Sequence, residues 1–203
     1  MRGAATALTL VGILLGTNAG AQNLLVNPDF DENPDGWTVV AGQAPVWQAD
    51  DEGGCPASGS AVVASAVAGG NFETALLSQC FPADGATTVA ASISFREGSS
   101  SFNQVGVGFH LSSDCTDSLP PFGASPTTPA SPGVWTRLEM PATAVPVGTQ
   151  SLEFRVGGSN LGPQPFTIEL DRAWFAFEDR IFAADFETDD GIGDPCRWSA
   201  SVP

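Results

Sequence analysis

Oxygen-bearing side chains fall at alternate positions in Asp31-Glu32-Asn33-Pro34-Asp35-Gly36, the order D-x-D/N-x-D/N-G that opens a calcium loop. Alternate carboxylates and amides can converge on one hard cation, and the glycine permits the sharp turn between them. An EF-hand would place a bidentate glutamate at the twelfth loop position, which here is Gly42, and would flank the loop with helices. The neighbouring residues carry no helical pattern, so the EF-hand is excluded. Two readings stay open: a calcium site of another kind, or an acidic turn made of residues that favour turns without any metal.

Catalysis has little foothold. His110 is the only histidine, which leaves one candidate base for a hydrolytic triad and gives a zinc site little support. Ser58, in Cys55-Pro56-Ala57-Ser58-Gly59, lacks the G-x-S-x-G order of a nucleophile elbow. With 23 acidic residues, two carboxylates can lie close by chance, so their number identifies no glycosidase. No catalytic residue is assigned, and the chain is read as a binding protein rather than an enzyme.

The charge balance narrows the partners. Seven basic residues, all arginine, face 23 acids, for a net charge of −16. Such a chain repels phosphate backbones, which argues against nucleic-acid binding, and it attracts cations. Residues 1–21 have the layout of an export signal: Arg2, the apolar run Ala4 to Gly16, and the small-x-small site Ala19-Gly20-Ala21. Cleavage there starts the mature chain at Gln22 and removes Arg2, leaving six arginines against 23 acids, hence −17. No later run reaches the about 18 apolar residues of a membrane span. The mature protein is therefore expected outside the cytoplasm: secreted, periplasmic or on the cell surface.

Four cysteines, Cys55, Cys80, Cys115 and Cys196, suit disulfides in an exported chain. Three pairings are open. Cys55–Cys80 is favoured because the intervening segment reads as a turn, a strand and a return, and Cys115–Cys196 then follows by elimination.

The elements that must carry these residues are strands. Val89 to Arg96, Val105 to Leu111, Leu152 to Val156 and Phe166 to Leu170 alternate apolar with small or polar side chains. That period of two puts one face inward. Ser60 to Ala68 and Val134 to Met140 add two more candidates. Short strands separated by Gly, Pro, Ser and Asp clusters point to an all-β sandwich or jelly roll. The proline-rich Ser112 to Gly133 reads as a surface loop, because proline cannot donate to a central ladder. The expected organisation is a signal peptide over 1–21, one β-sandwich domain over 22–177 and an irregular acidic tail over 178–203.

Asn23-Leu24-Leu25-Val26-Asn27-Pro28-Asp29-Phe30-Asp31-Glu32-Asn33-Pro34-Asp35-Gly36-Trp37 resembles the N-terminal signature of carbohydrate-binding modules with the galactose-binding-like jelly-roll fold, of the type in bacterial cellulases and xylanases. Asn23, Leu24, Leu25, Asn27, Phe30, Gly36 and Trp37 match. Asp31 stands for the usual glutamate and Asn33 for a common glycine. Gly133-Val134-Trp135-Thr136-Arg137 is similar to the family's x-W-x-R strand, and Ile168-Glu169-Leu170-Asp171-Arg172-Ala173 to its final strand, with Arg172 replacing an acid or amide. The resemblance implies a structural calcium joining the first and last strands, held near Asp31 and Asp171, with Asn27 or Asp29 as further ligands.

The resemblance also implies a sugar site built on aromatic faces. Trp37 is expected in the core. Trp47, in a polar stretch, is the expected exposed platform, and Arg96, His110 and Trp135 complete the candidate ligand-binding set. Trp174 shares a face with Arg172 on a regular strand, and a bulge after Asp171 would turn it inward. Finally, Ile181-Phe182-Ala183-Ala184-Asp185-Phe186-Glu187 with Trp198-Ser199 resembles short tails that end many exported Gram-negative bacterial proteins.

Overall fold

The alternation read from the sequence produces ten strands in the computed structural model, which describes residues 23–54, 58–66, 72–97, 102–124, 132–162 and 164–177. They are β1 (Thr38–Ala41), β2 (Val46–Gln48), β3 (Ser60–Ala64), β4 (Phe72–Pro82), β5 (Thr88–Glu97), β6 (Phe102–His110), β7 (Ser118–Ala124), β8 (Thr136–Ala144), β9 (Ser151–Leu161) and β10 (Thr167–Phe177). No helix occurs among the described residues.

The strands form two five-stranded sheets, in the orders β1-β4-β9-β6-β7 and β2-β3-β10-β5-β8. Every pairing is antiparallel. From the first sheet, Ala75, Leu77, Val105, Val107, Phe109, Leu152, Phe154 and Val156 turn inward; from the second, Ala61, Val63, Ile93, Phe95, Leu138, Ile168, Leu170 and Phe175 meet them. Burying one face of each sheet against the other is the main favourable term available to a two-layer fold.

The N-terminal segment closes the sandwich by hydrogen-bonding to the last strand. Leu24 N–H donates to the Phe175 carbonyl at 2.9 Å. The Asn23 amide donates to the Ala173 carbonyl at 2.9 Å, and its Oδ1 accepts from Phe175 N–H at 3.1 Å. Gln79 on β4 clamps the same segment from the other sheet, exchanging two bonds with the Val26 backbone. Trp37 is in the core, as expected, stacked 5.2 Å from Phe30. Gly36, at φ +88°, makes the turn into it, and an added Cβ would meet Val26 Cγ1 at 3.0 Å.

Two expectations need correction. The stretch expected as a loop, Ser112 to Gly133, contains β7, which pairs with β6. Pro120 and Pro121 are compatible with it because β7 is an edge strand with a partner on one side only. The pairings Cys55–Cys80 and Cys115–Cys196 are both overturned by a Cys80–Cys115 disulfide. The outward side chain of Cys80 on β4 meets the loop that follows β6, a contact set by sheet order rather than chain proximity. Cys55, Cys196, the expected export signal and the acidic tail lie outside the described residues.

The disulfide closes a separation of 35 residues. Cys80→Ala combined with Cys115→Ala is expected to lower the unfolding free energy by about 3–4 kcal/mol, measured by urea denaturation. Mass spectrometry of unreduced peptides should recover the Cys80–Cys115 pair.

Candidate functional site

Alternation leaves each sheet an outer face, and the candidate ligand-binding residues divide between them. On the second sheet, β5 directs Ser92, Ser94 and Arg96 outward, β8 directs Arg137 and Glu139, and β10 directs Glu169 and Trp174. Trp135, just before β8, lies across from Arg96, whose guanidinium carbon sits 4.9 Å from the indole centroid. Arg96 also donates to Asp50 at 2.5 Å and to Glu169 through Nε at 3.0 Å. Arg96 and Trp135 are therefore brought together, but as a clamp: the cation lies over the aromatic face and its donors are engaged by two carboxylates. Trp174 is half-buried on this face. The strand does bulge between Asp171 and Trp174, but this sets Trp174 opposite the outward-facing Ser92 rather than turning it inward as expected.

Trp47 does not form the open platform expected of it. It pairs with the fully buried Ala61 and points toward the core side of the sandwich edge. Its indole N–H donates to the Phe30 carbonyl at 2.7 Å. Gly59 lies against the ring so closely that a Cβ there would come within 2.3 Å of Nε1.

His110 belongs to the other sheet. Along β6 the outward residues are Phe102, Gln104, Gly106, Gly108 and His110, and across from them on β9 stand Ser159, Gly157, Arg155, Glu153 and Ser151. Beyond β9, β4 contributes Thr74, Leu76, Ser78 and Cys80. Outer-face residues are ordinarily solvated, yet His110 is 1% exposed and Glu153 7%. Gly106 and Gly108, beside Arg155 and Glu153, are buried as well. The loop over 111–117 is held across one end of this face by the Cys80–Cys115 disulfide and by Cys115 N–H donating to Ser151 Oγ at 3.2 Å.

Within the recess one carboxylate oxygen, Glu153 Oε2, contacts two groups: His110 Nε2 at 3.2 Å and Arg155 Nη2 at 2.5 Å. Glu153 Oε1 makes no hydrogen bond among the described residues. The Arg155 side chain keeps 29% of its surface and reaches the opening. Buried charges demand partners, so this trio is costly to keep where a solvated face would be cheap. Glu153, Arg155 and the two glycines were not singled out from the sequence. The signals were present: glutamate and arginine two apart in Leu152-Glu153-Phe154-Arg155-Val156, and glycine at alternate positions in Val105-Gly106-Val107-Gly108.

The candidate calcium ligands gather where the first loop meets β10. Ala173 N–H donates to the Pro28 carbonyl at 2.9 Å, bringing the two segments together. Asp171 is buried and accepts from Glu52 N–H at 2.9 Å and Arg172 N–H at 2.7 Å. Burial pushes its carboxyl up to about 7; the two backbone donors oppose this, neighbouring Asp29 adds to it and Arg172 counters it. Burial also raises Asp29, Asp31 adds to that, and Arg172 opposes. Asp31 Oδ1 is buried without a hydrogen-bond partner among the described residues, and Glu52 Oε2 has only a 3.9 Å ion pair with Arg172.

Asn27 has a different task. Its amide closes the loop by donating to the carbonyls of Asn33 (2.6 Å) and Asp35 (3.2 Å), and its own carbonyl accepts from Trp37 Nε1 at 3.0 Å. Oxygen donors with an orphaned carboxylate oxygen are the chemistry a hard cation takes. Among the described residues, however, no three His, Cys, Asp or Glu side chains converge as a ready-made metal group. Bound calcium would have to combine the carboxylates of Asp29, Asp31 and Asp171 with backbone oxygens.

The fold places the chain among known structures. An enzymatically active domain of tailspike protein 4 from bacteriophage CBA120 superposes with a TM-score of 0.55 at 14% identity, over 76% of this chain and 21% of that one. A structure described as a carbohydrate-binding module from the β-sandwich superfamily gives 0.53 at 14% identity, over 77% of this chain and 62% of that one. The fold is similar to that of β-sandwich carbohydrate-binding modules. The CBM22-2 xylan-binding domain of Paenibacillus barcinonensis Xyn10C gives 0.52 at 14% identity, over 74% of this chain and 97% of that one. The chain thus spans about a fifth of the tailspike domain and less than two thirds of the second structure. No family profile and no curated protein sequence matches it. At such identities the likeness establishes architecture alone.

Asp171 supplies a test through pH. A carboxyl raised in the folded state holds a proton there that the unfolded chain has released. Its contribution to stability is complete below the ordinary carboxyl value of 3.8 and is lost as pH rises through about 7. The urea midpoint is expected to fall between about pH 5 and about pH 8, and Asp171→Asn to remove that part of the fall.

Proposed function

We propose that the chain is an exported, non-catalytic module that binds an extracellular or cell-surface glycan in the recess on the outer face of β4, β9 and β6. The observation that carries this reading is the Glu153–Arg155 pair, with the Arg155 side chain reaching solvent. A carboxylate oxygen and a guanidinium offer an acceptor and donors at adjacent points, which suits neighbouring sugar hydroxyls. Half-buried Phe102 and Leu76, farther along the same face, supply apolar surface for the sugar's C–H groups. A site of mostly apolar and backbone surface with a few fixed polar groups is the usual form of a ligand cleft. The fold likeness to glycan-binding modules supports the same reading.

In this account the Arg96–Trp135 pair and Trp47 hold the second sheet and its edge together rather than meet the ligand. Calcium, if bound, staples the first loop to β10 and stabilises by mass action without entering the binding chemistry. No helix among the described residues is long and apolar enough to cross a membrane.

A second reading, a structural or adhesive surface protein that binds another protein, is favoured by one observation. Val39, Val40 and Val46, on the edge strands β1 and β2, are exposed together with Val26. Exposed apolar edges invite protein contacts.

The two readings separate on a glycan array probed with the protein from Gln22 onward. Arg155→Ala is expected to cost at least about ten-fold in affinity. Trp47→Ala and Trp135→Ala are expected to lower the melting temperature and leave the bound glycans unchanged. An array with no hits would remove the glycan reading. Calcium is tested by melting at about pH 8 with millimolar calcium and with chelator. Calcium should raise the melting temperature of the intact protein but not of Asp171→Ala, and identical melts of the intact protein would remove calcium.

A further inference from the structure

Glu153 gives one oxygen to both His110 and Arg155, and the three residues differ in how free they are to move. The backbone of His110 is held on both sides: its carbonyl accepts from Gln150 N–H at 2.8 Å, and Leu111 N–H donates to the Asp117 carbonyl at 2.8 Å. The imidazole is buried under the 111–117 loop, and the disulfide to Cys80 holds that loop down. Arg155, by contrast, is partly exposed on a long stem. His110 is the buried member and Arg155 the one that reaches solvent.

The tautomer follows from the contact. A carboxylate oxygen faces Nε2, so Nε2 carries the proton and donates, while Nδ1 is left as an acceptor. Nδ1 makes no hydrogen bond among the described residues. The ring is thus held through one bond, to Glu153. No other charged group of the described residues faces it from within the recess: Asp114 and Asp117 in the covering loop are exposed.

We propose that His110 is a positioning residue of the recess: by donating to Glu153 Oε2 it turns Oε1 outward beside Arg155, so that acceptor and donor are preset for a pair of sugar hydroxyls. This rests on reading the recess as the glycan site. A carboxylate held by a single partner would sample several rotamers, and ordering it on binding would cost affinity. With both partners in place that order exists beforehand.

The experiment has a ligand-free arm and a ligand arm. His110 is the only histidine, so side-chain nitrogen NMR of the uniformly labelled protein reports one imidazole. The Nε2–H tautomer is expected, with the tautomer preference lost in Glu153→Gln; an Nδ1–H tautomer in the unchanged protein overturns the proposal whatever the ligand. The ligand arm uses affinity electrophoresis in soluble xylan, mixed-linkage β-glucan and β-1,4-galactan, with melting temperatures read in parallel. His110→Leu is expected to weaken retardation about ten-fold. His110→Gln, which keeps a donor at the reach of Nε2, should restore most of it. If the unchanged protein is retarded by none of the three, the glycan reading fails and this proposal fails with it. If it is retarded and His110→Leu, still folded, binds equally well, the positioning role alone is overturned. Should His110→Leu unfold, His110→Phe and Glu153→Gln carry the same comparison.

Discussion

A line of aromatic rings crosses the sandwich, and the rest of the structure depends on it. Phe175 of β10 lies 5.5 Å from Phe154 of β9, Phe154 lies 5.9 Å from Trp37, and Trp37 stacks at 5.2 Å on Phe30. The line joins the last strand, the opposite sheet and the N-terminal loop in one packed unit. Each ring buries a large apolar area, and removing one from such a core typically costs about 3–5 kcal/mol. Because Phe30 and Trp37 are locked in this way, the chain around Phe30 has one path. That path carries Asp29 and Asp31, on either side of Phe30, to β10.

The same packing decides where polar chemistry can occur. A dry interior filled by rings and aliphatic side chains leaves little room for charge, so the ionisable groups are pushed to the outer faces and the sandwich edge. There they meet as networks: Arg96 with Asp50, Glu169 and Trp135 on one sheet, and Arg155 with Glu153 and His110 on the other. The two networks look alike as lists of residues and differ in surroundings. Arg96 has an indole over it and carboxylates on either side, a saturated arrangement. Glu153 keeps an oxygen without a partner among the described residues. An acceptor left over, rather than the residue types themselves, separates a clamp from a candidate site.

Much of the fold is legible in the chain. Val89 to Arg96, Val105 to Leu111 and Leu152 to Val156 declare themselves by alternation, and the structure places strands over all three. β7 is hidden by its prolines, which weigh against a central ladder but not against an edge. The candidate site was half legible. Period two correctly puts Ser94, Arg96 and His110 on outward faces, yet it cannot say that His110 lies on the opposite sheet from the other two. Trp47 shows the opposite failure. A polar neighbourhood in sequence suggested exposure, while pairing with Ala61 turned the ring toward the core.

What the sequence determined by itself is therefore local: the period of the strands, the turn into Trp37, and the Asn23 and Phe30 positions that hook the first segment onto the domain. These follow from backbone geometry and from side chains within a few residues of one another. The tertiary structure alone decided which strands became neighbours. That choice joined Cys80 to Cys115 across the first sheet, set Glu153 against His110 at a separation of 43 residues, and brought Ala173 to Pro28. The reason is physical. Alternation fixes the face a residue takes, but strand order is selected by how two whole apolar faces pack together, and no short stretch of chain contains that information.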